Sequence, residues 1–337
     1  MDPRQDSKKR GGRKRIVEST PGLDEAFRDV LKDHTAGDPM RDDIQWTNLT
    51  QQAIADGLAE EGFRVSRNIV KQLLDKHDYV KRKAQKSQAM GHHRNRNSQF
   101  ENIARLKQEY RDSSNPILSM DTKKKEFLGN FYREGRLYTQ AVIKTYDHDF
   151  TSAAEGAIIP HGLFDLKRNA GYLYLGASRD TSEFACDNVA RWWQRYGRRH
   201  YPEAESLLLL CDSGGSNNAS HYVFKEDLET LTDRIGIAIR VAHYPPYTSK
   251  YNPIEHRLFP HVTRACQGVV FESIDLVRAL MVNTRTKTGL RVFVKIIDRL
   301  YQTGRKYAED FKENMRIVFD DLLPKWNYTA IPTALSP

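Results

Sequence analysis

The residues with most chemical content are three acids in three different settings: Asp121 in ILSMDTKKKEF, Asp212 in LLLLCDSGG and Glu255 in NPIEHRLF. The first two close apolar runs where strand gives way to loop, and the third falls on a helical stretch. A carboxylate at the end of a buried strand costs free energy unless something positive neutralises it, and a divalent cation is the usual solution. If the three converge they suggest a magnesium site, and magnesium held by carboxylates serves phosphoryl transfer. Taken singly they have plainer roles: Asp121 and Asp212 can cap turns, and Glu255 can pair with Arg257 or Lys250. Lys123, Lys124 and Lys125 beside Asp121 would hold phosphate or form a solvated face. His243 and His256 flank the third motif, where they would orient a ligand, contact a nucleic acid, or serve as ordinary satisfied polar residues.

These acids need a scaffold, and the pattern from Asn115-Pro116 onward supplies one. ILSMD reads as a strand ending in Asp121, and AIIPHGLFDL and GYLYLGAS as two more strands joined by a turn at residues 167–171. Thr181 caps a helix with Phe184, Val189, Trp192, Trp193 and Tyr196 inward; the two tryptophans read as core. ESLLLLCD is an almost unbroken apolar run, as a central parallel strand should be, and it ends in Asp212. Cys211 within it reads as a small buried hydrophobe. A helix follows on Phe224, Leu228, Leu231 and Ile235, with Asn217 and Asn218 placed to cap it. IAIRVAHY is a fifth strand, and PPYTSKYNP a loop into the helix of Glu255. The order is βββαβαβα, three antiparallel strands followed by two parallel ones, which is a ribonuclease-H-like α/β topology. It sets Asp121 on the central strand beside Asp212, with Glu255 leaning over the same strand ends.

The amino-terminal part reads as all-α. Leu23, Phe27, Val30 and Leu31 mark one helix, broken near Gly37 and Pro39. Thr50 caps a second, with Ala53, Ile54 and Leu58 inward and Gly62 at its end; Ser66 caps a third. In the third, Ile69, Val70, Leu73 and Leu74 face inward, leaving Arg67, Asn68, Lys71 and Gln72 outward. That polar set suits a recognition helix in a DNA major groove, and it equally suits the solvated face of a small bundle. The flank favours DNA: Lys81, Arg82, Lys83, Lys86, Arg94 and Arg96 fall within residues 81–97 without an acid, as a basic linker would. His92 and His93 lack further ligands and read as solvated. Arg4, Lys8, Lys9, Arg10, Arg13, Lys14 and Arg15 make the first residues a disordered basic tail.

Composition sets the outer bounds. A chain of 337 residues with 39% hydrophobic content can hold two domains and a substantial core. Lys plus Arg at 53 against Asp plus Glu at 44 leaves +9, a mild pointer to a polyanionic partner. Cys186, Cys211 and Cys266 are odd in number and show no metal-ligand spacing, which argues for a reduced, cytoplasmic protein. The beginning of the chain has no apolar signal region, and no run of about 18 apolar residues occurs, so no membrane role is expected.

The order Asp, Asp, Glu, with the last acid in NPIEH, resembles the DDE transposases and their mariner-group relatives. The chain is more closely similar to the Azo-type insertion-sequence transposases, also called Rhodopirellula transposases. The matching stretches are DTKKKEFLGNF, DTSEFACDNVARWW, CDSGGSNN, YPPYTSKYNPIEHRLF, TKTGLRV and WNYT, and with the helical pair they extend the resemblance from about Gly11 to Thr329. The interval from Asp212 to Glu255 is longer than in mariner relatives, Ser213 begins the family's glycine run, and Pro253 stands where nearer relatives often carry a basic residue. None of these departures touches an expected ligand.

The resemblance implies a DNA transposase. Residues 1–21 would be the basic tail, 22–80 a helix-turn-helix domain binding terminal inverted repeats, 81–114 a basic linker and connecting helix, and 115–330 the catalytic domain. Asp121, Asp212 and Glu255 would hold two Mg²⁺ ions, for which Mn²⁺ can substitute, and catalyse DNA cleavage and strand transfer. Arg67, Asn68, Lys71, Gln72, the linker cations, Lys123, Lys124, Lys125 and Lys250 would contact double-stranded terminal-repeat and target DNA. A homo-oligomeric active complex and a cytoplasmic, nucleoid-associated bacterial location follow from it. Two other readings stay open: a catalytically silent DNA-binding regulator, and a structure-specific nuclease without strand transfer.

Overall fold

The computed structural model describes residues 16–32, 35–38, 41–47, 49–82 and 94–335. The chain divides into two compact units, Met1–Ser87 and Gln88–Pro337.

In the first unit, helices α1 (Leu23–Lys32), α2 (Gln51–Glu60) and α3 (Arg67–Lys76) close over Leu23, Phe27, Ile54, Leu58, Val70 and Leu73, all fully buried. Thr50 caps α2 as expected, its hydroxyl accepting from the Ala53 amide at 3.1 Å. Three details differ from the sequence reading. Ala53 is exposed and Ala55 takes the inward place, because the α2 stripe is centred on Ile54 and Leu58. Ser66 precedes α3 without a side-chain capping bond. Around Gly37, where the sequence shows only a break, Thr35–Asp38 pairs antiparallel with Arg41–Thr47. Asp24 on α1 ties to α3 through Lys76 at 2.6 Å and His77 at 2.9 Å. The Lys76 ammonium beside it leads in holding the Asp24 carboxyl below its ordinary range.

The second unit is a mixed sheet with helices on both faces. Its strands are β1 (Ile117–Thr122), β2 (Glu126–Leu128), β3 (Gly156–Asp165), β4 (Ala170–Gly176), β5 (Ser206–Cys211), β6 (Ala238–His243), β7 (Arg291–Ile297), β8 (Ile317–Phe319) and β9 (Asn327–Ala330). Spatially the order is β8-β9-β6-β5-β1-β3-β4-β7, with β2 against β3. Strand β1 runs antiparallel to β3 and parallel to β5, β3 is antiparallel to β4, and β5 parallel to β6. The five-strand heart therefore has the order and directions expected from the sequence. What the sequence reading lacked is the widening at both margins. The TKTGLRV stretch leads into β7, parallel to β4, and WNYT runs into β9, antiparallel to β6.

Helix α4 (Arg96–Arg111) packs Ile103, Leu106 and Tyr110 onto Leu208 and Leu210 of β5. Its Gln99 and Asn102 side chains donate to Asn327 Oδ1, each at 2.9 Å. It is thus an integral layer of the second unit. Helices α5 (Ser182–Trp192) and α6 (Tyr222–Ile235) cover one face with Phe184, Val189, Trp192, Phe224 and Leu228; α7 (Pro253–Arg257), α8 (Phe259–Ala265) and α9 (Ile274–Val282) cover the other. Thr181 caps α5 through the Phe184 amide. Asn217 and Asn218 do not cap α6: His221 precedes it without a side-chain bond, and Asn218 accepts instead from the Ser220 amide at 2.8 Å. Among the described residues no helix is long and apolar enough to cross a membrane.

Candidate active site

Two parallel strands in register bring two acids side by side. Met120 of β1 pairs with Cys211 of β5, so the next residue on each chain, Asp121 and Asp212, emerges at the same sheet edge. Each is held locally: the Thr122 amide donates to Asp121 Oδ1 at 2.7 Å, and the Gly214 amide to Asp212 Oδ1 at 3.2 Å. A Cβ on Gly214 would stand 3.3 Å from Asp212 Oδ2.

The third acid arrives on a helix riveted to β1. Ser119, buried in an otherwise apolar strand, donates to Asn252 Oδ1 at 2.5 Å and accepts the Ile254 amide at 2.9 Å. Asn252, also fully buried, donates to the Met120 carbonyl at 3.1 Å. Pro253 opens α7 at a position where its missing amide hydrogen is no loss. The neighbouring strand makes room: Gly162, opposite Asp121 in the β1-β3 pairing, would place a Cβ 2.8 Å from both Ile254 and Phe259. Asp121 lies close enough to both Glu255 and Asp212 for each to act on its carboxyl.

Electrostatically the cluster is short of positive charge. Burial first, then the Asp212 charge and the Glu255 contact, hold the Asp121 carboxyl well above its ordinary range. Asp212 is raised too, by burial first and by the charges of Glu255 and Asp180. Among the described residues no Lys or Arg forms an ion pair with any of the three. Asp180 approaches from the loop before α5, accepting from Thr122 Oγ1 at 3.1 Å and Ser216 Oγ at 3.4 Å. It thereby links the turns that follow Asp121 and Asp212. As the side chains stand, no group of three or more His, Cys, Asp or Glu among the described residues is disposed to hold an ion. The donor set nonetheless suits one, since crowded, partly buried oxygen ligands without a counter-charge are what a hard divalent cation relieves.

The remaining candidates are spread more widely. His243 is fully buried, with one ring nitrogen 2.8 Å from the Asp212 carbonyl and the other 2.9 Å from the Tyr328 hydroxyl. It cannot touch DNA, and it supports the strand end from beneath; burial lowers its pKa to about 4. His256 is exposed. Lys123 is engaged by Glu126, which Arg133 also contacts, whereas Lys124 and Lys125 are exposed. Lys250 is exposed, its ammonium 5.3 Å from the Tyr251 ring. In the first unit Arg67, Asn68, Lys71 and Gln72 all lie on the exposed side of α3. Lys81, Arg82 and Arg94 are exposed, and Lys83, Lys86, His92 and His93 lie outside the described residues. Arg96 is no linker residue: it opens α4, half-buried, its guanidinium 5.7 Å from the Phe100 ring and 5.8 Å from that of Tyr251.

Ser119, Gly162, Asp180 and Asn252 escaped the sequence reading. The signals were there for two of them, a lone serine inside ILSM and an asparagine ahead of a proline, but neither states its partner.

No curated protein matches the chain. Among solved structures it is similar to the Mos1 transposase paired-end complex with left transposon end (17% identity, TM-score 0.44, 81% of this chain and 72% of that one). A pre-cleavage Mos1 transpososome (17%, 0.45, 81% and 72%) and the mariner Mos1 paired end complex with Mg (17%, 0.44, 82% and 74%) are similar to the same degree. The family described as the Rhodopirellula transposase DDE domain matches residues 26–332, nearly the whole of the second unit and most of the first, and the chain belongs to that transposase family.

Proposed function

We propose that this protein is a DNA transposase whose second unit, of ribonuclease-H-like topology, cuts and joins DNA through Asp121, Asp212 and Glu255. The observation that carries the reading is the approach of three carboxylates, from segments far apart in sequence, in a cluster to which no ion pair is formed among the described residues. These three would hold Mg²⁺, with Mn²⁺ as a substitute; bound there, the metal would stabilise charge developing on phosphate oxygens and activate the attacking oxygen. The protein's own part is positional. Strand register sets Asp121 beside Asp212, and the Ser119–Asn252 pair fixes the helix of Glu255 over them. Such preorganisation is the main lever available in phosphodiester chemistry, where the protein forms no covalent bond itself.

Recognition of the element's terminal inverted repeats falls to residues 22–80, with α3 as the reading helix and Arg67, Asn68, Lys71 and Gln72 toward the bases. Residues 81–97 and the exposed Lys124, Lys125 and Lys250 contact phosphate. The active complex is a homo-oligomer holding element ends and target DNA, in the cytoplasm of a bacterium and on its nucleoid.

The test is incubation of the protein with a supercoiled plasmid carrying the flanking repeats, with Mg²⁺ and with EDTA. Metal-dependent cuts at the repeat ends are expected. Specific binding without any cut under Mg²⁺ or Mn²⁺ would favour a silent regulator, and cuts without joining of pre-cleaved ends would favour a plain nuclease.

A further inference from the structure

Away from the acid cluster, a cavity of about 550 Å³ opens where α5 ends over the β4-β7 margin of the sheet. Its size suits a small ligand of mixed polarity. One wall is aromatic. Tyr172 and Phe293 stack with centroids 5.2 Å apart and planes 13° from parallel, and Tyr196 closes on them at 4.7 and 5.2 Å. Tyr174, 4% exposed, lines the floor. The other wall is cationic: Arg195 and Lys295 are exposed, neither forms an ion pair among the described residues, and no acid lines the cavity.

The chain has an unusual local shape here. After Trp192 the helix widens into a π turn, Trp193–Gly197, which carries Gln194, Arg195 and Tyr196 to the rim. Such widenings occur often at functional sites. The pairing also relates the cavity to the acids. Asp121 pairs with Gly162, Gly162 with Leu173, and Leu173 with Val294 at the cavity. Three strand spacings, roughly 14 Å, separate Asp121 from that margin.

We propose that this cavity is a nucleotide subsite, in which an unstacked base lies against Tyr196 and Phe293 while its phosphate meets Arg195 and Lys295. A flat π face beside two cations, Lys295 and Arg195, whose Nε donates to the Tyr196 hydroxyl at 3.2 Å, with no acid among the lining residues, matches an aromatic anion and disfavours a peptide or a sugar. The occupant is either a nucleotide splayed from the DNA strand or a free nucleotide. Assignment to the strand rests on the transposase reading above; the subsite itself does not.

The probe is 2-aminopurine, whose fluorescence falls on stacking, offered in EDTA as the 5′-monophosphate and within a short single-stranded oligonucleotide. Quenching by the wild-type protein is expected, with affinity about tenfold weaker or worse for the double variant Arg195→Glu, Lys295→Glu. Tyr196→Leu should lose the quenching while retaining the wild-type melting temperature. Quenching of the oligonucleotide alone identifies the DNA strand as the occupant, and quenching of the monophosphate identifies a free nucleotide. Absence of quenching by the wild type, or quenching and affinity unchanged in both variants, would overturn the proposal. Plasmid cleavage under Mg²⁺, run in parallel, separates the two readings: cutting without quenching removes the subsite alone, and quenching without cutting removes the transposase reading alone.

Discussion

Ser119 and Asn252 meet inside the second unit, hydroxyl to amide oxygen at 2.5 Å, and both are fully buried. Ser119 lies two residues before Asp121 on β1, and Asn252 three before Glu255 ahead of α7. One hydrogen bond therefore couples the frames of two of the three acids. The Asn252 amide completes the link by donating to the Met120 carbonyl, and the Ser119 hydroxyl by accepting the Ile254 amide.

Breaking this rivet should damage the chemistry more than the fold. Ser119→Ala leaves the Asn252 oxygen and the Ile254 amide unpaired, at a cost of about 1–3 kcal/mol. Glu255 then loses its fixed place, and a displacement of order 1 Å lowers a positioned reaction by about a hundredfold. Asn252→Ala should act likewise. Plasmid cleavage rates, repeat binding and thermal melting on the same preparations decide the point, and loss of binding in step with cleavage would show general unfolding instead.

For the acids themselves, Asp121→Asn, Asp212→Asn and Glu255→Gln should each abolish cleavage and leave repeat binding intact. Asp121→Asn should also melt higher than the wild type in EDTA at neutral pH, since the raised Asp121 carboxyl must take up a proton on folding and asparagine, of the same shape, need not. Near-normal Mg²⁺-dependent cleavage by any of the three would remove that residue from the site.

On the DNA side, alanine at Arg67 and Lys71 should weaken binding to the terminal repeat far more than binding to random DNA, at about 1–3 kcal/mol for each base-edge contact. Competition binding at fixed salt measures this. Equal losses on both DNAs would reduce α3 to phosphate contact.

His161 predicts a pH dependence of stability. It is fully buried on β3, with one ring nitrogen 3.3 Å from the Asn188 amide nitrogen and the other without a partner among the described residues, and burial lowers its pKa to about 3. The unfolded chain takes up that proton near the ordinary histidine value while the folded one does not. The stability contributed is complete above pH 6.5 and declines as pH falls toward 3, by at most about 1.4 kcal/mol per pH unit. Urea unfolding across pH 4 to 7 should therefore be steeper for the wild type than for His161→Phe. Parallel profiles would mean that the ring already protonates in the folded protein.

Much of this protein could be read locally, because the physics involved is local. Apolar runs ending at Asp121 and Asp212, the Thr181 and Thr50 caps, and the stripes of Phe184 to Trp193 and of Ile69 to Leu74 each follow from the period of one element and its neighbouring residues. Element order then implied the central sheet, since two parallel strands following three antiparallel ones leave few ways to pair.

Contacts across the fold were decided only by tertiary structure. Nothing near Ser119 announces Asn252, and nothing in HGLF says that Gly162 must lack a side chain so that Ile254 and Phe259 can approach β3. Arg96 reads as one more linker cation until α4 packs on β5 and sets it between Phe100 and Tyr251. For His243 the sequence leaves a ligand or DNA contact and an ordinary satisfied polar residue equally open, until β9 pairs with β6 and the ring is buried against the Tyr328 hydroxyl. Sequence periodicity decides which face of an element turns inward, whereas partner, distance and counter-charge depend on which elements become neighbours in the folded chain. That dependence is why three scattered acids could be nominated from the sequence, while the bonds that bring them together could not.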